Sequence, residues 1–364
     1  MDENKIKSNG SKIAADEGSA ITLDQLVNLA IEKEASDIHF GEGSKVALRV
    51  GGQFVFIENM EALSKKNADE MIFSMFTLED EKKRLERVRE IDFSFQHSSG
   101  VSFRVNVFYQ RGRLSAVMRM ISKHLPSMEE LGIPEEMKAL LAQREGLILV
   151  SGTTGSGKST SVQAMLEYMN KNFVQHIITI ENPIEHVFED DKCIFSQREL
   201  GNDTLTLANA LHSAMREDPN TIMVGDINDL ESMENVLTAV ETGHLVIASM
   251  PTKNIKQTLE RIVSLYPQAQ KSQAQERLAD AIVAILAQDL VNRIDRVGRA
   301  AVFELLITNP GIRNIVRQGN MNQLRTALQS GAREGMITMD TYAYNLALQG
   351  IISQEDVERY SEQD

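Results

Sequence analysis

Residues Gly152-Thr153-Thr154-Gly155-Ser156-Gly157-Lys158-Ser159 spell G-x-x-x-x-G-K-[ST] in full. This octapeptide constrains the chain more than any other segment. The apolar run Leu147–Val150 before it reads as a strand, and Ser159–Tyr168 after it reads as a helix. In that context the loop curls backbone N–H groups around a phosphate, and the helix N-terminus adds partial positive charge. Lys158 can then reach the β- and γ-phosphates of ATP, and the Ser159 hydroxyl can ligate Mg2+, with Gly152 through Thr160 as the binding stretch. A glycine-rich strand–helix turn with no ligand is the plain alternative. The two flanking elements weigh against it.

Short apolar runs recur after the loop: Ile177–Ile180, Thr221–Val224 and Leu245–Ala248. Continuous apolar runs alternating with helical stretches suit parallel strands buried on both faces, so the class is α/β. Two of these runs end in acids. Glu181 and Glu185 follow Ile180, and Asp226 and Asp229 follow Val224. Ligands of open parallel sheets bind at the carboxyl ends of strands. A carboxylate there can hold Mg2+ or orient an attacking water, although an acid after a buried strand can equally cap the next helix. Phosphoryl transfer also calls for a cation opposite the γ-phosphate. Arg216 is the nearest arginine in sequence, and the amino-terminal part of the chain offers Arg104, Arg111, Arg113 and Arg119.

Composition removes several classes. The formal charge is −14, with 13 Phe, 6 Tyr and no Trp, which argues against a nucleic-acid groove built from clustered cations and stacking rings. The single Cys193 excludes an intrachain disulfide and any multi-cysteine metal site, and it fits a reducing compartment. No stretch approaches a membrane span. Met1-Asp2-Glu3-Asn4 opens no secretory signal. The expectation is a cytoplasmic protein that meets a membrane only through a partner.

The expected organisation starts with a disordered tail over 1–20, poor in large apolar residues. A small α+β domain follows over 21–122. It opens on a helix with Thr22 and Gln25 at capping-box spacing. Gly51-Gly52 then reads as the turn of a hairpin between Val46–Val50 and Phe54–Ile57. A helical, charged stretch is expected from Ser64 to about Arg89, then strands at Asp92–Phe95, Phe103–Phe108 and Ala116–Met120. A linker at 123–134 leads into the α/β domain, 135–364. From about Pro267 onward the pattern reads as mostly helical, with Leu278–Ala287 its most apolar helix.

Taken in order, further segments resemble one family. They are Ala35-Ser36-Asp37-Ile38-His39, Phe103-Arg104-Val105-Asn106, Met128-Glu129-Glu130-Leu131-Gly132, the phosphate loop, and Thr179 through Glu185. Gln197-Arg198-Glu199, Arg216-Glu217-Asp218-Pro219, Val224-Gly225-Asp226, Glu241-Thr242-Gly243-His244-Leu245 and Ile312 through Arg317 continue the series. Along most of its length the chain resembles the type IV pilus retraction (twitching-motility, PilT-like) ATPases of the type II/IV secretion superfamily. The resemblance implies a PAS-like amino-terminal domain, a RecA-like P-loop domain and a ring of six subunits. It implies nucleotide between the domains, with Arg104 and Arg119 as the matching phosphate-facing arginines. A third family arginine aligns near Gly112, between Arg111 and Arg113. It further implies a cytoplasmic motor docked peripherally on an inner-membrane pilus platform protein. Assembly and secretion relatives carry an amino-terminal extension and often a four-cysteine zinc module. Neither is seen here, which favours the retraction branch.

The chain departs from the family on the catalytic side. Asp226 stands where the family has Glu, Asn182 where it has Asp, Ile227-Asn228 where it has Met-Arg, and Pro251 where it has His. Asp withdraws the carboxylate by one bond, about 1.5 Å, and a misplacement of about 1 Å can cost on the order of 100-fold in rate. Two readings follow. In the first, a working retraction ATPase uses Asp226, Glu181 and Glu185 with Arg104 and Arg119, and holds metal through Ser159 and Asp226. In the second, a slow or inactive nucleotide-binding subunit assists a second pilus ATPase.

Overall fold

The computed structural model describes residues 21–57, 60–76, 79–121 and 125–361. The tail expected over 1–20 and the first residues of the expected linker lie outside them. The chain divides into two compact units, the first ending at Ile121.

In the first unit, α1 (Leu23–Glu32) starts at a reciprocal capping box. Gln25 N–H donates to Thr22 Oγ1 at 3.3 Å and Thr22 N–H to Gln25 Oε1 at 3.0 Å, which satisfies two of the orphan donors of a helix start. Strands β1 (Asp37–Gly41), β2 (Ala47–Val50) and β3 (Gln53–Phe56) follow. Gly51 and Gly52, at φ 55° and 82°, turn the β2–β3 hairpin. The helical stretch expected over 64–89 holds two helices, α2 (Lys65–Phe73) and α3 (Glu79–Val88). The chain leaves α2 at Ser74, and the half-buried Phe76 packs edge-on against Phe93. Strands β4 (Glu90–Gln96), β5 (Ser102–Gln110) and β6 (Arg113–Met120) complete an antiparallel sheet of order β3-β2-β1-β6-β5-β4. Alternation along β5 sends Phe103, Val105 and Val107 into the core and leaves Arg104 exposed on the other face.

The second unit opens with α4 (Met128–Leu131), capped by Ser127, and α5 (Glu136–Leu141). There follow β7 (Gly146–Ser151), α6 (Lys158–Asn172), β8 (His176–Glu181), β9 (Ile194–Glu199), α7 (Leu207–Ala214), β10 (Thr221–Asp226), α8 (Leu230–Glu241) and β11 (Leu245–Met250). Helices α9 (Ile255–Ser264) and α10 (Lys271–Ala281) lead into β12 (Ile282–Asn292) and β13 (Arg299–Ile307). Helices α11 (Pro310–Gln318), α12 (Leu324–Ser330), α13 (Met339–Leu348) and α14 (Gln354–Ser361) end the chain. The sheet order is β13-β12-β7-β11-β10-β8-β9, parallel except for the antiparallel β12–β13 pair.

The chain after Pro267 is mostly helical as expected, but the helical reading of Leu278–Ala287 is corrected. The apolar stretch Leu278–Ala287 changes state in its middle: Ala281 ends α10, and Ile282 turns to extended backbone at φ −66°, ψ 127°. Ile282, Val283 and Ile285 are β-branched, and ladder positions stand open beside β7. Pairing Ile282–Ala287 with β7 on one side and Ala284 onward with β13 on the other buries every residue from Ile282 to Ala287 except the half-buried Val283.

Candidate nucleotide site

The carboxyl ends of the parallel strands fall on one edge of the second unit's sheet. Register fixes the order along that edge: the loop after β7, then Met250 of β11, Asp226 of β10, and Glu181 of β8. With strands about 4.8 Å apart, Asp226 belongs to the strand about 10 Å from β7, and Glu181 to the one about 14 Å away.

Gly152 N–H donates to the Met250 carbonyl at 3.3 Å, tying the base of the loop to β11. Gly157, at φ 88°, forms the left-handed corner from which α6 starts at Lys158. The Lys158 ammonium turns back over the loop and donates to the carbonyls of Gly152 (2.8 Å) and Thr153 (3.3 Å). Thr153, Thr154 and Gly155 form the exposed rim, and Ser159 and Thr160 lie in the first turn of α6. Among the described residues, the Ser151 and Ser156 hydroxyls are buried without a hydrogen-bond partner. The loop therefore brings together a cation, an N-terminal helix turn and unspent polar atoms, the chemistry that receives a phosphate chain.

The acids differ in state. Glu181 is buried and accepts from Thr179 Oγ1 (2.7 Å), Gln197 Nε2 (3.3 Å) and Glu185 N–H (3.4 Å). Burial pushes its carboxyl above the usual range, and these donors only partly offset that. Asp226 is exposed, at a bulge. Val224 pairs with Ala248 but Asp226 pairs with Ser249, so Gly225 is the extra residue that re-aims the following carboxylate. A Cβ on Gly225 would lie 3.4 Å from the Ile180 carbonyl oxygen and 3.9 Å from Glu181 Cα, which puts Asp226 beside the end of β8. Asp229 caps α8 through Ser232 N–H (2.8 Å) and Ser232 Oγ (2.9 Å), a structural role.

Other candidates separate from this edge. Arg216 lies in the turn before β10, where the Asp218 carbonyl and Asn220 meet His176 at the start of β8, so it stands by the opposite ends of the strands. His244 is likewise placed away from the loop. Its Nδ1 lies 2.9 Å from the Ala239 carbonyl and 3.2 Å from Thr242 Oγ1, so the ring caps the end of α8. Pro251 directly follows β11 and supplies neither a ring donor nor an N–H. Arg104 and Arg119 face each other across β5 and β6 in the first unit, and Arg119 Nε donates to buried Asp37 Oδ1 at 2.8 Å. Among the described residues no group of three or more His, Cys, Asp or Glu side chains forms a metal cage.

Gln197 entered the sequence reading only within a family segment, with no role, and Gln288 escaped it altogether. Gln197 bridges β8 and β9, holding Glu181 while its Oε1 accepts Phe188 N–H at 2.8 Å. Gln288 holds the phosphate loop. Its one sequence signal is a polar amide following the apolar run 282–287.

The chain is 39% identical over 334 residues to the type IV pilus retractation ATPase PilT of Pseudomonas aeruginosa, covering 92% of this chain and 96% of that protein. It is 39% identical over 312 residues to a twitching motility protein of Neisseria gonorrhoeae, covering 86% and 83%. The crystal structure of the pilus retraction motor PilT with bound ADP matches with a TM-score of 0.86 at 38% identity, over 94% of this chain and 98% of that one. A model of the type II/IV secretion system protein family matches residues 14–355, and the chain belongs to that family.

Proposed function

We propose that the chain is the ATP-hydrolysing motor of type IV pilus retraction, working as a ring of six copies on the cytoplasmic side of an inner-membrane pilus platform protein. The observation that carries this reading is the complete phosphate loop with Lys158 folded onto it, in a chain this similar to retraction ATPases. Among the described residues no helix is long and apolar enough to cross a membrane.

In this reading the loop N–H groups from Thr153 to Ser159 grip the β-phosphate, and Lys158 leaves the loop carbonyls for the β- and γ-phosphate oxygens. The Ser159 hydroxyl and the Asp226 carboxylate are hard oxygen donors that fit Mg2+ together with phosphate oxygens and water. Bound Mg2+ would neutralise charge on the triphosphate. Asp226, exposed on its bulge, accepts the proton of the water that attacks the γ-phosphorus as the bond to the bridging oxygen breaks. Glu181 and Glu185 order the polar network behind it. Arg104 and Arg119 are the proposed cations for the γ-phosphate.

Deletion of the gene in its source organism, with complementation by wild type or Lys158→Ala, tests the proposal. Cells without the motor, or with Lys158→Ala, are expected to keep surface pili and lose twitching. Unchanged twitching in the deletion strain contradicts it. The observation favouring an accessory subunit is the intact phosphate loop beside departures from the family pattern at Asp226, Asn182, Asn228 and Pro251. Purified protein that binds ATP without turnover, yet restores twitching only beside a second pilus ATPase, would decide for that reading.

A further inference from the structure

Strand β12 is 11 residues long, but only Ile282–Ala287 pairs with β7, where Ala287 lies opposite Ser151. The rest of the strand runs on past the end of β7 and flanks the phosphate loop. Its first residue there is Gln288, 3% exposed. Both the nitrogen and the oxygen of the Gln288 side-chain amide are engaged. Nε2 donates to the Ser156 carbonyl at 2.8 Å, inside the loop, and Oε1 accepts from Ser161 Oγ at 2.7 Å, on the first turns of α6. Gln288 also crowds two of the loop's positive-φ glycines. A Cβ on Gly157 would come within 2.8 Å of Gln288 Nε2, and one on Gly152 within 2.5 Å of the Gln288 carbonyl oxygen. Leu290 lies 3.5 Å from the same Gly157 position.

We infer that Gln288 is a positioning residue for nucleotide binding, which holds the Ser156 peptide turned so that the neighbouring loop N–H groups face the phosphates. The physical need is specific. Ser156 sits between two left-handed glycines, Gly155 and Gly157, where the backbone is free to turn over. A peptide that flips there swaps an N–H for a carbonyl oxygen and repels an anion. Fixing the Ser156 carbonyl on a buried amide removes that freedom before nucleotide arrives, so binding does not bear the cost of ordering the loop. The inference rests on the nucleotide-binding reading above and deepens it. It also gives β12 a second role, as the strut behind the loop.

The test compares Gln288→Met and Gln288→Glu with wild type in calorimetric titrations of the full chain with ADP and Mg2+, alongside circular dichroism melts. Met keeps the volume and removes both hydrogen bonds. Glu keeps an acceptor for Ser161 but, when ionised, turns a second oxygen on the Ser156 carbonyl. At pH 8 both variants should bind ADP about tenfold or more weakly than wild type, the scale of one buried carbonyl losing its donor. As the pH falls, the protonated Gln288→Glu carboxyl regains an O–H donor and its affinity should recover towards wild type, while Gln288→Met should not recover. Ser161→Ala removes only the rear contact and should cost less than threefold. A Gln288→Met protein that melts cooperatively and binds ADP as tightly as wild type overturns the inference, as does recovery of both variants at low pH. If Gln288→Met does not fold, Gln288→Glu alone decides: affinity that does not rise on acidification overturns it. Wild type that binds no nucleotide refutes the underlying reading instead.

Discussion

Arg119 donates a 2.8 Å hydrogen bond from Nε to Asp37 Oδ1. The Asp37 side chain is 4% exposed and that of Arg119 71%. Ser36 Oγ donates to the other Asp37 oxygen at 2.8 Å, and Arg49 Nε stands 3.6 Å from it. Burial raises the Asp37 carboxyl, but the hydrogen bonds from Ser36 and Arg119 and the guanidinium charge together hold it below its ordinary 3.8. Arg104 lies directly across from Arg119 on β5, like charge beside like charge, so the buried carboxylate is what settles this row.

Replacing Asp37 with Asn should therefore lower the stability of the first unit by about 1–3 kcal/mol, the cost of losing a buried charged hydrogen-bond partner. A group with a depressed folded pKa stabilises fully above its ordinary value and loses that contribution as pH falls through the folded one. The difference between wild type and Asp37→Asn should accordingly be largest above pH 3.8 and shrink in stronger acid. Urea unfolding at several pH values measures it, and equal stabilities at neutral pH would refute it.

Glu181 should behave in the opposite sense. Its carboxyl is raised by burial, so the ionised form is a burden on the fold, and the site keeps it against that cost. Glu181→Gln should slow ATP turnover at least tenfold while the unfolding midpoint at pH 8 stays equal to or above that of wild type. A variant that loses stability and activity together would make Glu181 a structural residue.

The parts legible in the sequence were those whose signals are local. The Gly51-Gly52 turn, the Thr22 capping box and the phosphate loop each carry their geometry in a few adjacent residues. Strand β12 was not legible. Leu278–Ala287 has an apolar pattern that serves a helix or a buried strand, and only the open ladder positions beside β7 decide where it changes. For the same reason Gln288 was invisible: its partners Ser156 and Ser161 lie more than 120 positions earlier in the chain. The separation of Arg216 and His244 from the loop also depends on strand direction, which residue spacing does not carry.

Glu304 gives a pH signature in the second unit. It accepts Ile255 N–H at 3.0 Å at the start of α9. Burial pushes its carboxyl from 4.5 up to about 7, with Asp340 adding to the rise and Arg325 and the Ile255 N–H opposing it. A raised folded pKa means stability that is complete below 4.5 and lost as pH climbs to about 7. Wild type should lose stability across that window relative to Glu304→Gln and run parallel to it above. Parallel curves throughout would contradict this.

Asp226 is the exposed carboxylate at the bulge on β10, on a strand nearer to the phosphate loop than that of Glu181. Asp226→Asn should reduce kcat by about 100-fold or more through loss of the proton acceptor, and should weaken binding of ATP with Mg2+ through loss of a charged oxygen donor. Asp226→Glu, one bond longer, should stay within about tenfold of wild type. A much faster Asp226→Glu enzyme would show that the shorter side chain leaves the native site impaired.

If Lys158 and its loop bind ATP for hydrolysis, steady-state phosphate release by the purified full chain with ATP and Mg2+ depends on that side chain. Wild type should turn over steadily and Lys158→Ala should lose about 100-fold or more of that rate. Wild type that releases phosphate no faster than Lys158→Ala would contradict it.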